Sequence, residues 1–364
     1  MDYNKQTNSK RTFLYDSHVA LGALISPFAG FDMPIQYVGI IEEHLAVRNN
    51  VGMFDVSHMG EVVVKGQDAE RFVQYVFTND IANAPVGKVF YGMMCYEDGG
   101  TVDDLLVYKM DVNNFLLVIN ASNIDKDWEW INKNKDGFNV ELINCSDCYG
   151  QIALQGPNSS DVMKNVLAYE VNDMTFYTVK TFDDVIISRT GYTGEDGFEI
   201  YADKNNILDF WNKLIDAGVQ PCGLGCRDTL RFEAGLPLYG NELSERISPI
   251  MASLSMFVKF DKQDFIGKEA LYLQKNKHVD KTLIGIELRD KAIPRHGYDV
   301  IRDENVIGYV TTGYHMISVD KSVCMALVDS SCATLGTELK IQIRKKVFPG
   351  TVVKKRFYEK RYKK

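Results

Sequence analysis

The sequence predicts an α+β protein in two parts, a mixed helix-and-sheet region over residues 1–280 and a small all-β domain over 281–364. Three observations predict it. Up to KNKHVDKT (275–282), amphipathic helical stretches alternate with β-rich hairpins. After that polar stretch the runs LIGIEL, VIGYV, VCMALV, LKIQI and TVVKKRFY recur, separated by Gly and Pro signals, which reads as a small barrel or sandwich. Finally, 364 residues exceed what one ordinary hydrophobic core holds.

The elements follow in order. YVGIIEEHLAVRNN (37–50) has helical spacing of Ile41 and Leu45, and EVVVK (61–65) is a strand. DAERFVQYVF (68–77) is a short helix entered through Asp68 as its cap. DLLVYK (104–109) and FLLVIN (115–120) flank MDVNN and form a hairpin. Ser122 caps a helix over 123–135. VIISR (185–189) and FEIYA (198–202) form a second hairpin across TGYTGEDG, whose three glycines permit a sharp turn or a close approach to a ligand. NNILDFWNKLIDA (205–217) is a helix stopped by Gly218, and CRDTLRFEA (226–234) one stopped by Gly235, with Arg227 and Arg231 on a shared face. No internal repeat is visible in the sequence.

Composition narrows the classes. A hydrophobic fraction of 45% with 25% charged residues is globular, and no apolar run reaches the roughly 18 residues of a membrane helix. The opening MDYNKQTNSKRTFLYDSH shows neither a secretory nor a transit signal, which predicts a cytoplasmic protein. Seven cysteines at irregular spacing argue against a disulfide framework, and Cys145 and Cys148 lack the second ligand pair of a structural zinc site. Residues 344–364 carry ten Lys or Arg against one Glu, leaving the remainder of this −8 chain at −17. That asymmetry is a docking surface for an acidic partner, a nucleic-acid footprint or a solvated final strand centred on VVKKRFY.

Three segments carry candidate chemistry. In EDGGTVDDLLVY (97–108), Asp103 and Asp104 open a strand and therefore point to opposite faces. Aspartate is unfavourable in a strand, so Asp104 needs a reason to be there, while Asp103 is divided between turn cap and function. In RTGYTGEDGFE (189–199), Glu199 returns on a strand after a glycine-rich bend. A carboxylate there can accept two parallel N–H bonds from a planar heterocycle such as a pterin. In PCGLGCRDTLRFEAG (221–235), Gly223 and Gly225 precede a helix, and Arg227 reads either as an anion or carbonyl holder or as an ion-pair partner of Asp228 or Glu233. Neither a dinucleotide fingerprint nor a P-loop is present. His58 in FDVSHMGE has no triad or metal-like partner spacing and reads as structural.

Taken together, HVALGALISPFAGFDMPIQY, GIIEEHLAVRNNVGMFDVSHMGE, GGTVDDLLVY, NASNIDKDWEW, LQGPNS, SRTGYTGEDGFEIY, GLGCRDTLRFEAGLPLYGNEL, DFIGKEAL and IPRHGYDV resemble the T-protein family of the glycine cleavage system, in order. The resemblance implies a three-lobed folate-binding fold, with two interleaved α+β lobes followed by a C-terminal β-barrel. It implies transfer of a one-carbon unit from the aminomethyl group on lipoylated H-protein to tetrahydrofolate, a cosubstrate, releasing ammonia. No metal, nicotinamide, nucleic acid or membrane role is implied. H-protein is typically acidic, which gives the basic tail a partner.

Carried over by motif, the resemblance makes Asp104 the catalytic group and Met59, Tyr91, Asn120, Tyr192, Glu199, Arg227, Tyr239 and Tyr362 the tetrahydrofolate-binding set. Phe31 and Cys226 stand where the family commonly has Trp and Ala, and Arg356 where it has Pro. Two alternatives share the fold, a folate-dependent demethylase and a non-catalytic folate-binding protein. The latter is marked by K-G-C-Y-x-G-Q-E, where this chain has RTGYTGEDG.

Overall fold

The computed structural model describes residues 9–277 and 279–363. The chain divides into two compact units. The first comprises 1–60, 145–228 and 361–364; the second comprises 61–144 and 229–360.

The first unit is built on a six-stranded sheet in the order Val179–Phe182, Val185–Ser188, Gly197–Ala202, Gly150–Gln155, Gly52–Asp55, Gln220–Pro221. The expected hairpin pairs Ile186 with Tyr201 and Ser188 with Glu199. Helix Lys204–Asp216 lays Ile207, Phe210, Trp211 and Leu214, its i, i+3, i+4 and i+7 positions, against the sheet core of Ile152, Leu154, Phe198 and Ile200. Asp203 caps it through Asn205 and Asn206, and Gly218 ends it at φ +76°. Trp211 is fully buried, a contribution of about 3 kcal/mol from area alone.

The second unit holds a five-stranded sheet and a barrel. The sheet order is Val89–Cys95, Thr101–Asp111, Asn114–Ile119, Gly60–Lys65, Glu141–Asn144. Its core gathers Phe72, Val73, Phe115 and Leu117 beneath helices Ala69–Val76 and Ile124–Lys133. The C-terminal runs close into a six-stranded barrel, so the barrel alternative holds over the sandwich. Strand Glu338–Ile343 turns Leu339 and Ile341 inward and Glu338, Lys340 and Gln342 outward. VCMALV is buried on both faces: Cys324, Ala326 and Val328 fill the barrel, while Val323 and Met325 pack on Phe232.

Four sequence expectations need correction. The two non-barrel sheets share one plan, strand, helix, three-stranded meander, helix, strand, running from Gly60 to Asn144 and again from Gly150 to Pro221. The repeat is structural; its shared marks are a glycine after the first strand, Gly66 at φ +133° and Gly156 at φ +135°, followed two residues later by Asp68 or Asn158 at the helix N-cap. Asp68 occupies the cap position, but its carboxylate accepts the Asn139 N–H at 2.8 Å rather than capping its own helix. A 3-10 turn over Ala121–Asn123 precedes helix Ile124–Lys133, so Ser122 is not its cap. The last strand ends at Val353, because the chain turns to give the Phe357 and Tyr358 N–H groups to the Glu233 carbonyl, satisfying a helix C-terminus.

Candidate functional site

Four expected site residues, Tyr91, Asp104, Asn120 and Tyr239, belong to the second unit. The hairpin register sets Met93 opposite Asp104, so Tyr91, two residues earlier, shares a sheet face with Asp104. The Tyr91 hydroxyl donates to Asp104 Oδ2 at 2.7 Å. Asn120, at the end of the next strand, shares its amide Nδ2 between Asp103 Oδ1 at 2.8 Å and Asp104 Oδ1 at 3.1 Å. Its backbone N–H donates to Asp103 Oδ2 at 2.9 Å. Burial, and then the charge of Asp103, pushes the Asp104 carboxyl up to about 7, against the pull of Tyr91 and Asn120. Asp104 is half-buried while Asp103 is sealed. A carboxyl poised near neutrality on an accessible face is suited to proton transfer. Tyr239 donates to the Thr101 carbonyl at 3.2 Å, and Lys126 Nζ lies 5.1 Å from its ring centroid.

The other five, Met59, Tyr192, Glu199, Arg227 and Tyr362, belong to the first unit. Glu199 is buried on its strand, where Thr190 Oγ1 donates to Oε2 and Gln151 Nε2 approaches Oε1 at 3.5 Å. Burial raises its pKa, while Thr190 and the positive charge of Arg227 pull the other way. Gln155 locks the glycine-rich bend from inside: its Nε2 donates to the Thr190 carbonyl at 3.1 Å and its Oε1 accepts from Thr193 at 2.9 Å. A Cβ at Gly191 or Gly197 would come within 2.0 or 2.4 Å of that side chain, so both glycines are there to admit it. The bend is tied at its ends by a two-pronged ion pair, Arg189 Nε and Nη2 to Asp196 at 2.9 and 2.5 Å.

The Arg227 guanidinium lies 4.6 Å from the Tyr192 ring centroid, a cation–π contact. Glu233 accepts the Ile317 and Ser318 N–H groups at 2.8 and 3.0 Å. Arg231, one turn on, is instead buried against Glu242 at 2.8 Å. Tyr362 stacks on Phe176 with centroids 4.0 Å apart, and the Arg361 N–H donates to the Gly194 carbonyl at 2.7 Å. Burial raises the Tyr177 hydroxyl, and electrostatic repulsion from Tyr362 and Glu199 pushes the same way. Met59 is half-buried, its N–H on Val56. Its neighbour His58 is buried edge-on to Phe28 at 5.7 Å, and burial, with Arg227, lowers it to about 4, so it is neutral at pH 7.

Among the described residues, one group could hold a metal by proximity: the ligand atoms of Glu43, Cys222 and Cys226 lie within 4.8 Å of one another. Glu43 already accepts backbone N–H groups from Tyr37 at 2.6 Å and Gly223 at 2.8 Å, and burial and Cys226 keep the Cys222 thiol protonated. Among the described residues, no helix is long and apolar enough to cross a membrane.

Two family profiles cover most of the chain: the GCVT N-terminal domain over residues 14–262 and the glycine cleavage T-protein C-terminal barrel domain over 281–359. The chain belongs to the glycine cleavage T-protein family. It is 48% identical to an aminomethyltransferase of Alkaliphilus oremlandii and 47% identical to one of Thermoanaerobacter pseudethanolicus, over 98% of this chain and 100% of each relative. The crystal structure of the glycine cleavage system aminomethyltransferase T from Bartonella henselae matches with a TM-score of 0.94 at 34% identity, covering 98% of this chain and all of that one.

Within this T-protein family member, sequence reasoning overlooked the groups that hold Glu199 and Asp103. Gln155, Thr190 and Gln151 act within or beside the bend. Asn123 donates to Asp103 Oδ1 at 2.6 Å. Asp127 carried a usable signal. It lies three residues after Ile124 and four before Ile131, an acid on the apolar stripe of its helix.

Proposed function

We propose that this aminomethyltransferase moves the one-carbon unit of the aminomethyl group on lipoylated H-protein to tetrahydrofolate, giving 5,10-methylenetetrahydrofolate, ammonia and dihydrolipoyl H-protein. The carbon loses its bonds to sulfur and to the amine nitrogen and gains bonds to N5 and N10. The two protons lost from N5 and N10 balance those gained by the thiol and by ammonia. In this reading ionised Asp104 accepts the N10 proton, with Tyr91 and Asn120 fixing its carboxylate. Positioned proton transfer of this kind contributes roughly 10²–10⁴-fold.

Glu199 accepts the amino and ring N–H edge of the pterin, and Arg227 and Tyr192 give a flat cationic wall to the same ligand. Met59, Tyr239 and Tyr362 complete the folate contacts. Tetrahydrofolate serves as cosubstrate, and no metal, nicotinamide or nucleic acid enters the proposal. Cytoplasmic residence, and the division into a 1–280 catalytic region and a 281–364 barrel, belong to it as well. The observation that supports it most is the Asp104 carboxyl, lifted to about 7 by burial and held by two donors from neighbouring strands.

The test mixes the protein with tetrahydrofolate and aminomethyl-loaded H-protein and follows methylenetetrahydrofolate and ammonia. Wild type forms both, and Asp104→Asn loses at least about 10²-fold in turnover while still binding folate. Folate binding without turnover by wild type would favour the demethylase or the non-catalytic relative instead.

A further inference from the structure

Asp103 is fully buried, and nothing in the proposed reaction uses its carboxyl group. Its two oxygens take three N–H donations: Asn120 N–H at 2.9 Å, Asn120 Nδ2 at 2.8 Å and Asn123 Nδ2 at 2.6 Å. Three donors on a carboxylate favour its ionised form. Beside it, Asp127 is also sealed from solvent. Lys126 Nζ donates to Asp127 Oδ1 at 2.6 Å, whereas no donor reaches Asp127 Oδ2. The Asp127 side chain lies in hydrogen-bond contact with the Asp103 carboxylate. Two ionised carboxylates cannot share such a contact, since neither has a proton to donate. A proton on Asp127 Oδ2 removes the conflict and satisfies the orphan oxygen. Burial and the neighbouring Asp103 charge push Asp127 up to about 10, in line with that geometry.

We infer that Asp127 holds a proton and donates it to Asp103, so that Asp103 stays a clamped anion and acts as the positioning residue for Asp104. The inference rests on Asp104 as the proton acceptor. Asn120 is the physical link, because one amide nitrogen donates to both Asp103 Oδ1 and Asp104 Oδ1. Asp103 thereby orients the amide that orients Asp104, and its charge opposes early ionisation of Asp104. The other groups facing this cluster are Tyr91 from the neighbouring strand and Lys126 on the helix, then Tyr239, with Tyr96, Glu245 and Asp98 behind it. None of these supplies a donor to Asp127 Oδ2 among the described residues.

Two readouts test it on the whole protein. Infrared spectra are taken without substrate at a pH between about 7 and about 10, where Asp104 is ionised and Asp127 is not. Wild type shows a protonated carboxylic acid band that Asp127→Asn abolishes; a band that is absent in wild type, or that survives in Asp127→Asn, overturns the shared proton. The second readout is turnover against pH. Asp103→Asn removes the charge and moves the acid limb down by about one pH unit. A purely structural role would lower the rate at every pH and leave the limb in place, and that result overturns the inference. Failure of the underlying reading looks different: Asp104→Asn would keep wild-type turnover.

Discussion

Tyr91 and Asp104 are joined by a 2.7 Å hydrogen bond across adjacent strands of one hairpin, with the tyrosine hydroxyl donating to the carboxylate. The bond favours the ionised form, so it restrains the upward push of burial and of Asp103. Tyr91→Phe deletes the donor and keeps the ring that packs edge-on to Phe257 at 4.8 Å. The Asp104 pKa then rises above about 7. Because the ionised form is the acceptor, the acid limb of turnover moves to higher pH. One hydrogen bond is worth about 1 kcal/mol net, so the shift is somewhat under one pH unit. A pH profile identical to wild type would contradict the role given to Tyr91.

Glu199 and Thr190 form a second such pair, on the strand and bend of the first unit. Glu199→Gln keeps one acceptor oxygen but loses the charge that strengthens two N–H bonds. Tetrahydrofolate affinity is expected to fall by about 10–100-fold, the equivalent of roughly 1.5–3 kcal/mol. Thr190→Val leaves the charge but removes the donor that fixes the carboxylate, and a smaller loss follows. Equilibrium binding of tetrahydrofolate measures both. Equal affinity in Glu199→Gln and wild type would remove Glu199 from the pterin contact.

The chemistry of these positions was legible because each was an acid where a strand discourages one. Asp104 and Glu199 stood out by residue type and spacing. The hairpins and the helix stops at Gly218 and Gly235 were legible for the same reason, since glycine at positive φ is a local requirement. What stayed hidden depends on partners remote in sequence. Asn123 stands at a helix N-cap, yet its side chain is spent on Asp103. Gln155 reaches the bend from the far end of another strand. The structural repeat was masked because its two copies share the fold plan and a glycine, but little side-chain identity.

The basic tail divides by exposure. Lys354 and Arg356 point to solvent, whereas Lys355 turns inward and donates to the Ala252 carbonyl at 2.6 Å. Neutralising Lys354 and Arg356 should therefore lower kcat/KM for H-protein at low ionic strength, with the difference from wild type shrinking as salt rises. Lys355→Met should instead lower the melting temperature and leave salt dependence unchanged. Salt-independent kcat/KM in wild type would dismiss the tail as a docking surface.

Gly223 offers the sharpest test of how the fold supports Arg227. The chain enters helix Leu224–Glu233 through this residue, whose N–H donates to Glu43 Oε2 at 2.8 Å. Glu43 is fully buried and also receives the Tyr37 N–H at 2.6 Å, so one carboxylate pins two segments of the first unit. A Cβ on Gly223 would sit 2.2 Å from both the Ile35 carbonyl carbon and its oxygen. Those are backbone atoms, and no rotamer change relieves the overlap. Gly223→Ala must displace either strand Phe31–Gln36, which carries Ile35, or the first turn of the helix, at a cost of about 1–3 kcal/mol or more. Displacing the helix moves Arg227, four residues on, away from the Tyr192 ring. The expected result is a lower melting temperature together with weakened tetrahydrofolate binding. Gly225→Ala is the matched control, since its Cβ would press at 2.7 Å on the flexible end of the Ile40 side chain, with the nearest backbone atom 3.1 Å away. It should cost less in both measurements; equal losses in the two variants would show that the backbone contact at Gly223 is not what holds the arginine in place.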